Sequence, residues 1–123
     1  MSDVNEKNLE IIKTWNVDLG PTLERFCDDV ELYVSCLQAF AEDRAFGELG
    51  EHIKAEEYSA AFDSAHTLKG VAGNLGLNDM FKAISNIVEP LRAGDYSNLD
   101  AQYTAIQEEY KKYLGELAQL VTE

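Results

Sequence analysis

Apolar residues recur along the chain at intervals of three and four, and no stretch alternates convincingly with period two. This spacing predicts helices throughout. Leu9, Ile12 and Trp15 mark a short first helix, ended by "DLGP" at residues 18–21. Thr22 to Phe26 then reads as a brief helical turn. Asp28 and Glu31 have the spacing of a capping box, with Asp in place of Ser or Thr. Val30, Tyr33, Leu37, Phe40 and, later, Leu49 and Ile53 predict a single long second helix, weakened in its middle by Gly47 and Gly50. A third helix is expected from Tyr58 to Leu75, with Gly76 as its C-terminal cap. The fourth carries Leu77, Phe81, Ile84, Val88 and Leu91 and stops near Gly94. Pro90 falls inside that pattern and predicts a kink or an early end, because proline has no N–H to donate. "GDYSN" is a turn. Leu99, Tyr103, Ile106, Tyr110, Leu114, Leu117 and Val121 form the apolar stripe of the last helix, with Glu108 and Lys112 as an i,i+4 pair.

Short connections place neighbouring helices antiparallel. The expected fold is therefore all-α, an up-down antiparallel four-helix bundle with an additional short N-terminal helix covering one end. A chain of 123 residues fits one domain, here 1–123, with residues 1–27 as the cover and 28–123 as the bundle.

The third helix holds the unusual stretch, "SAHTLKGVAGNLG" at residues 64–76. Three glycines fall in it, and a glycine inside a helix loses about 1 kcal/mol relative to alanine. On a helical wheel Tyr58, Ala61, Ala65, Leu68, Ala72 and Leu75 gather on one side, which must face the core. His66 falls roughly 130° from the centre of that side. Gly70 and Gly73 share its side, one and two turns further on. Lys69 lies at the border, within side-chain reach of the histidine. The glycines leave the helix surface beside the imidazole clear, so that another protein could approach it closely.

Charge sharpens this picture. The net charge is −13, which argues against nucleic acid and anionic membrane as partners. Yet from Ser64 to Val88 the one acid is Asp79, against Lys69 and Lys82. An acidic chain has spared one region, and such surroundings suit a group that will itself carry negative charge. A phosphoryl group on His66 would be one, with Lys69 pairing with its oxygens. A solvated surface histidine with glycines nearby by chance fits the pattern too. His52, in "GELGEHIKAEE", has acids around it and no clearance, and reads as a surface residue. Cys27 and Cys36 match neither a redox motif nor a metal-ligand spacing and are expected to be buried free thiols. After "MSDVNEKN" no apolar run follows, so neither a signal peptide nor a membrane span is expected, and the composition fits a cytoplasmic protein.

"AHTLKGVAGNLGL" closely resembles the signature of histidine-containing phosphotransfer (HPt) domains, roughly A-H-x-L-K-G-x-A-x-x-[LIV]-G. "DDVELYVSCLQAF" looks like the helix-opening segment before that motif, and "LNDMFKAISNIVEPLRAGD" like the helix after it. The resemblance covers the chain from about Val17 to its C-terminus, with Pro90 as a departure. It implies a four-helix bundle with an exposed histidine on a central helix. His66 would accept a phosphoryl group from the aspartate of one receiver domain and pass it to another, in two-component signalling. Lys69 matches the family lysine that steadies the phosphate, and Gly70 the small residue that lets the receiver dock. Gly73 falls on the adjacent docking surface. The partners implied are response-regulator receiver domains and a hybrid sensor histidine kinase, with Mg²⁺ on the receiver's side and no cofactor in this chain. The domain is expected to be a monomeric carrier. With no glycine-rich nucleotide loop, it is not expected to phosphorylate itself. Three other readings stand beside this one. They are a phosphoacceptor domain served directly by a kinase domain, a non-phosphorylated helical adaptor, and a bundle metal site. The last would need inward-facing Glu-x-x-His pairs, whereas Asp63 and His66 both point outward.

Overall fold

The computed structural model describes residues 3–121. Residues 1–2 and 122–123, at the two limits of the expected domain, lie outside the described residues. Among the described residues seven helices follow one another: α1 Asp3–Ile12, α2 Leu19–Arg25, α3 Val30–Ala41, α4 Ala45–Lys54, α5 Tyr58–Asn74, α6 Asn78–Ala93 and α7 Leu99–Leu117. Among the described residues no strand forms, and the chain is an all-α bundle with an N-terminal cover. Helices α5 and α6 pack as an antiparallel hairpin. α4 closes on the other flank of α5, α7 lies along α6, and α3 packs on α7. The core runs through the middle, from Ile12 and Trp15 past Tyr33, Leu37, Leu49, Leu68, Ile84 and Ile87 to Ile106 and Tyr113.

The expected second helix is two helices. Glu42 caps α3, and the Asp43 carboxylate accepts the Ala45 N–H at 2.9 Å to begin α4. Phe40 and Phe46 pack across the break with ring centroids 5.0 Å apart. Tyr110 and Tyr113 of α7 donate their hydroxyls to the Ala41 and Leu37 carbonyls, which satisfies acceptors near the end of α3. Gly47 and Gly50 lie inside α4 and not at the break. The cap of α3 is Asp29, whose carboxylate accepts from Leu32 N–H at 3.0 Å. Asp28 adopts a left-handed φ of 57° and forms no box with Glu31.

Other boundaries also move. α2 begins at Leu19 and takes Gly20 and Pro21 into its first turn, where a missing N–H costs nothing. The chain breaks before it, at 13–18. α6 continues through Pro90 to Ala93, and Gly94 ends it at φ +73°. α7 buries Leu99, Ile106 and Tyr113, seven residues apart, whereas Leu114 and Val121 are exposed. Lys112 bridges to Asp79 and Glu109 rather than pairing with Glu108. Both cysteines are free, but Cys27 is exposed and Cys36 only half-buried. His52 is half-buried, with Nδ1 3.3 Å from Glu57 Oε1.

The N-terminal segment covers the end of the bundle at the α5–α6 turn. Asn78 N–H donates to Asn16 O at 3.3 Å, and the Asn16 amide donates to Asp79 Oδ1 at 2.9 Å. α1 packs on α3, and the Asn8 side chain donates to Val121 O at 2.9 Å and accepts from Val121 N–H at 2.8 Å.

Candidate functional site

Helix α5 divides as its spacing predicts. Ala61, Ala65, Leu68 and Ala72 are buried, and so is Leu75 just past its end. Three alanines in this stripe allow α4 and α6 to close on either side. His66, Thr67 and Gly70 face outward, and Lys69 is half-buried at the border. The His66 imidazole stacks on the Phe62 ring one turn earlier, with centroids 5.6 Å apart and planes 23° apart. The Arg92 guanidinium of α6 lies 5.1 Å from the centre of that same Phe62 ring. An aromatic face thus orients the imidazole, and a cation from the neighbouring helix lies against that aromatic.

The Lys69 ammonium lies 5.6 Å over the Phe81 ring and 3.8 Å from Glu89 Oε1, both on α6. The other oxygen of Glu89 is 3.5 Å from Arg92 Nε. Glu89 therefore bridges two cations, each of which also touches an aromatic ring beside the α5 face. Phe81, expected in the core, is instead 38% exposed.

The two glycines of the face differ. A Cβ placed on Gly70 would meet nothing within 4 Å, so this position is open. A Cβ on Gly73 would lie 3.2 Å from two carbons of the Phe81 ring. The clearance expected over Gly73 is taken by Phe81, which rests on the bare backbone there. The structure brings His66, Lys69, Gly70 and Gly73 together along one open groove of about 870 Å³. Cys36 and Ala39 of α3 form part of its other wall.

The floor of this groove is tied down at one end. Arg25 Nε donates to Asn74 O at 3.1 Å, and its terminal nitrogen donates to Gly73 O at 3.3 Å. These bonds satisfy carbonyls that a helix end leaves free, and the cation opposes the negative end of the helix dipole. Buried Tyr33 donates its hydroxyl to Leu75 O at 2.7 Å, and burial holds its phenol well above the usual tyrosine range, against a smaller opposing pull from Arg25. Among the described residues, no group of three or more His, Cys, Asp and Glu side chains comes together as a metal site.

Three residues around the site, Phe62, Glu89 and Arg92, have no role in the sequence reading, and a fourth, Phe81, is expected there in the core. Phe62 has a local signal, since it stands at i−4 from His66. Glu89 and Arg92 reach the site only through the docking of α6 on α5, which no single-helix pattern encodes.

The class of protein follows from the arrangement, a helical bundle that presents an exposed, aromatic-backed imidazole and a lysine beside an open glycine. The family model for the Hpt domain matches residues 22–119, and the chain belongs to this family. Its domains carry out histidine phosphotransfer in two-component systems and interact with receiver domains. No curated protein and no solved structure matches the chain. Among the described residues no helix is long and apolar enough to cross a membrane.

Proposed function

We propose that the chain accepts a phosphoryl group on His66 from the aspartate of a receiver domain and relays it to a second receiver. The observation that carries this reading is the exposed imidazole of His66 beside a glycine whose outward side is open. An imidazole is largely neutral at physiological pH, so a ring nitrogen has a lone pair to attack phosphorus. The new N–P bond forms as the P–O bond of the aspartyl phosphate breaks, and the aspartate carboxylate keeps that electron pair. The second ring nitrogen can release its proton to solvent. Phosphoryl transfer needs positioning and charge stabilisation more than covalent help. Phe62 fixes the ring plane, Gly70 admits the receiver, and Lys69 stands within one turn to meet the phosphoryl oxygens. Gly73 acts at one remove, by seating Phe81 beneath Lys69. The aspartate and Mg²⁺ come from the receiver.

Incubation with a phosphorylated receiver tests the reading. The expected product is an acid-labile, alkali-stable phosphoryl group, absent in His66→Gln and retained in His52→Gln. A His66→Gln protein that still loads, beside a His52→Gln protein that does not, would place the acceptor elsewhere.

A further inference from the structure

Lys69 already has a partner before any phosphate arrives. Its ammonium is 3.8 Å from the Glu89 carboxylate, whose second oxygen is held 3.5 Å from Arg92. Both distances exceed those of charge-assisted hydrogen bonds. The side chains are accessible, at 27% for Lys69 and 60% for Glu89, and exposed ion pairs of this kind are weak. Glu89 is also the first acid after the stretch from Ser64 to Val88, whose one acid, Asp79, is bound to Asn16 and Lys112 away from Lys69.

We infer that Glu89 is a positioning residue that parks Lys69 on α6 while His66 is free, and loses it to the phosphoryl group when His66 is loaded. The inference rests on the phosphotransfer reading above. A phosphoryl group carries about −1.5 to −2 charge and three acceptor oxygens, so it outcompetes one carboxylate for the same ammonium. Arg92 remains beside Glu89 and keeps its carboxylate paired after Lys69 departs. Part of the attraction between Lys69 and phosphate is thus consumed in leaving Glu89. The exchange makes phosphohistidine less stable than an unpaired lysine would, which favours onward transfer.

The test is the equilibrium of the phosphoryl group between a purified receiver's aspartate and His66. It is measured for the wild type, Glu89→Gln, Lys69→Ala and the double variant. Glu89→Gln is expected to shift the equilibrium toward phospho-His66 by roughly two- to fivefold, as for loss of an exposed ion pair. The double variant is expected to match Lys69→Ala. An unshifted Glu89→Gln, or a shift equally large without Lys69, would overturn the proposal, the second because a plain charge effect of Glu89 does not need Lys69. Chemical loading of His66 with phosphoramidate decides the same point without a receiver. On loading, the Lys69 side-chain NMR resonances should move in the wild type and move less in Glu89→Gln. Resonances indifferent to loading would sink the parking of Lys69. A domain that loads from phosphoramidate and never from a receiver would instead overturn the relay and leave this result standing.

Discussion

The two ends of the α5–α6 hairpin are built on opposite terms. At the turn, the carbonyls that end α5 are held by side chains from elsewhere in the chain. Arg25 and Tyr33 take the carbonyls of Gly73, Asn74 and Leu75, and Gly76 at φ +72° leaves its space to buried Thr22. The acid there, Asp79, is bound at 2.9 Å by both Asn16 and Lys112. Further along the hairpin, beside His66, the acid is Glu89, held only loosely at 3.5–3.8 Å, and Gly70 faces open space. The turn is over-determined, and the site is left adjustable. The proposed relay would have this face exchange partners, and weak, exposed contacts there suit that, while the fold is secured elsewhere.

This contrast is sharpest at the glycines. Gly76→Ala should be the most damaging change. The left-handed φ costs about 1–2 kcal/mol for a residue with a Cβ, and collision with Thr22 adds a similar amount. Urea unfolding should show a loss of about 2–4 kcal/mol, with the folded fraction still transferring phosphate at the wild-type rate. A loss under about 0.5 kcal/mol, the range of an ordinary surface change, would mean that the turn is not over-determined. Gly70 should respond with the opposite sign. Gly70→Ala has room for its methyl and removes glycine's flexibility, so it should stabilise the domain by about 1 kcal/mol. Gly70→Gln should melt no earlier than the wild type yet bind and exchange with a receiver more slowly. Wild-type exchange by that protein would remove the docking role of Gly70.

The acids provide the smallest effect. The Asp79 carboxyl is held below the usual carboxylate range, first by the hydrogen bond from Asn16 and then by that from Lys112. The folded state therefore favours its ionised form. That contribution is complete above the ordinary carboxyl range near pH ~4 and is lost as the pH falls through the lower folded value. Asp79→Asn should lower stability by about 0.5 kcal/mol at neutral pH, as for an exposed ion pair, and by less in acid. A deficit that grows on acidification would contradict the sign.

The pattern of apolar residues was sufficient for α5 and α6 because each has an uninterrupted 3.6-residue stripe and a glycine in left-handed conformation after it, Gly76 and Gly94. The α3–α4 break leaves a mark in the same pattern. Leu49 and Ile53 fall roughly half a turn from Leu37 and Phe40 on one helical wheel, so the apolar stripe itself shifts across the break, and a single helix would have put the two halves on opposite faces. The local signal was Asp43, a side chain that caps a new start better than it sits in a helix interior. Phe81 is apolar and in phase with Ile84, which predicts a core position. It turns outward because Gly73, on the facing helix, offers it a bare backbone to rest on. The alignment of His66, Lys69 and Gly70 on one face was readable, since a single helix sets it. The charge network of Glu89 and Arg92 was not, because it depends on the register between two helices.

The chain's one tryptophan, Trp15, is buried in the N-terminal cover with its indole edge-on to Tyr113 at 6.4 Å. Its intrinsic emission is therefore an optical reporter of whether the cover is seated on α7, and it lines no part of the His66 groove. Fluorescence and circular dichroism follow different events in this molecule, the first the seating of one end and the second the helices as a whole. Coincident unfolding curves from the two would make cover and bundle one cooperative unit, and separated curves would make the cover a subdomain that detaches first.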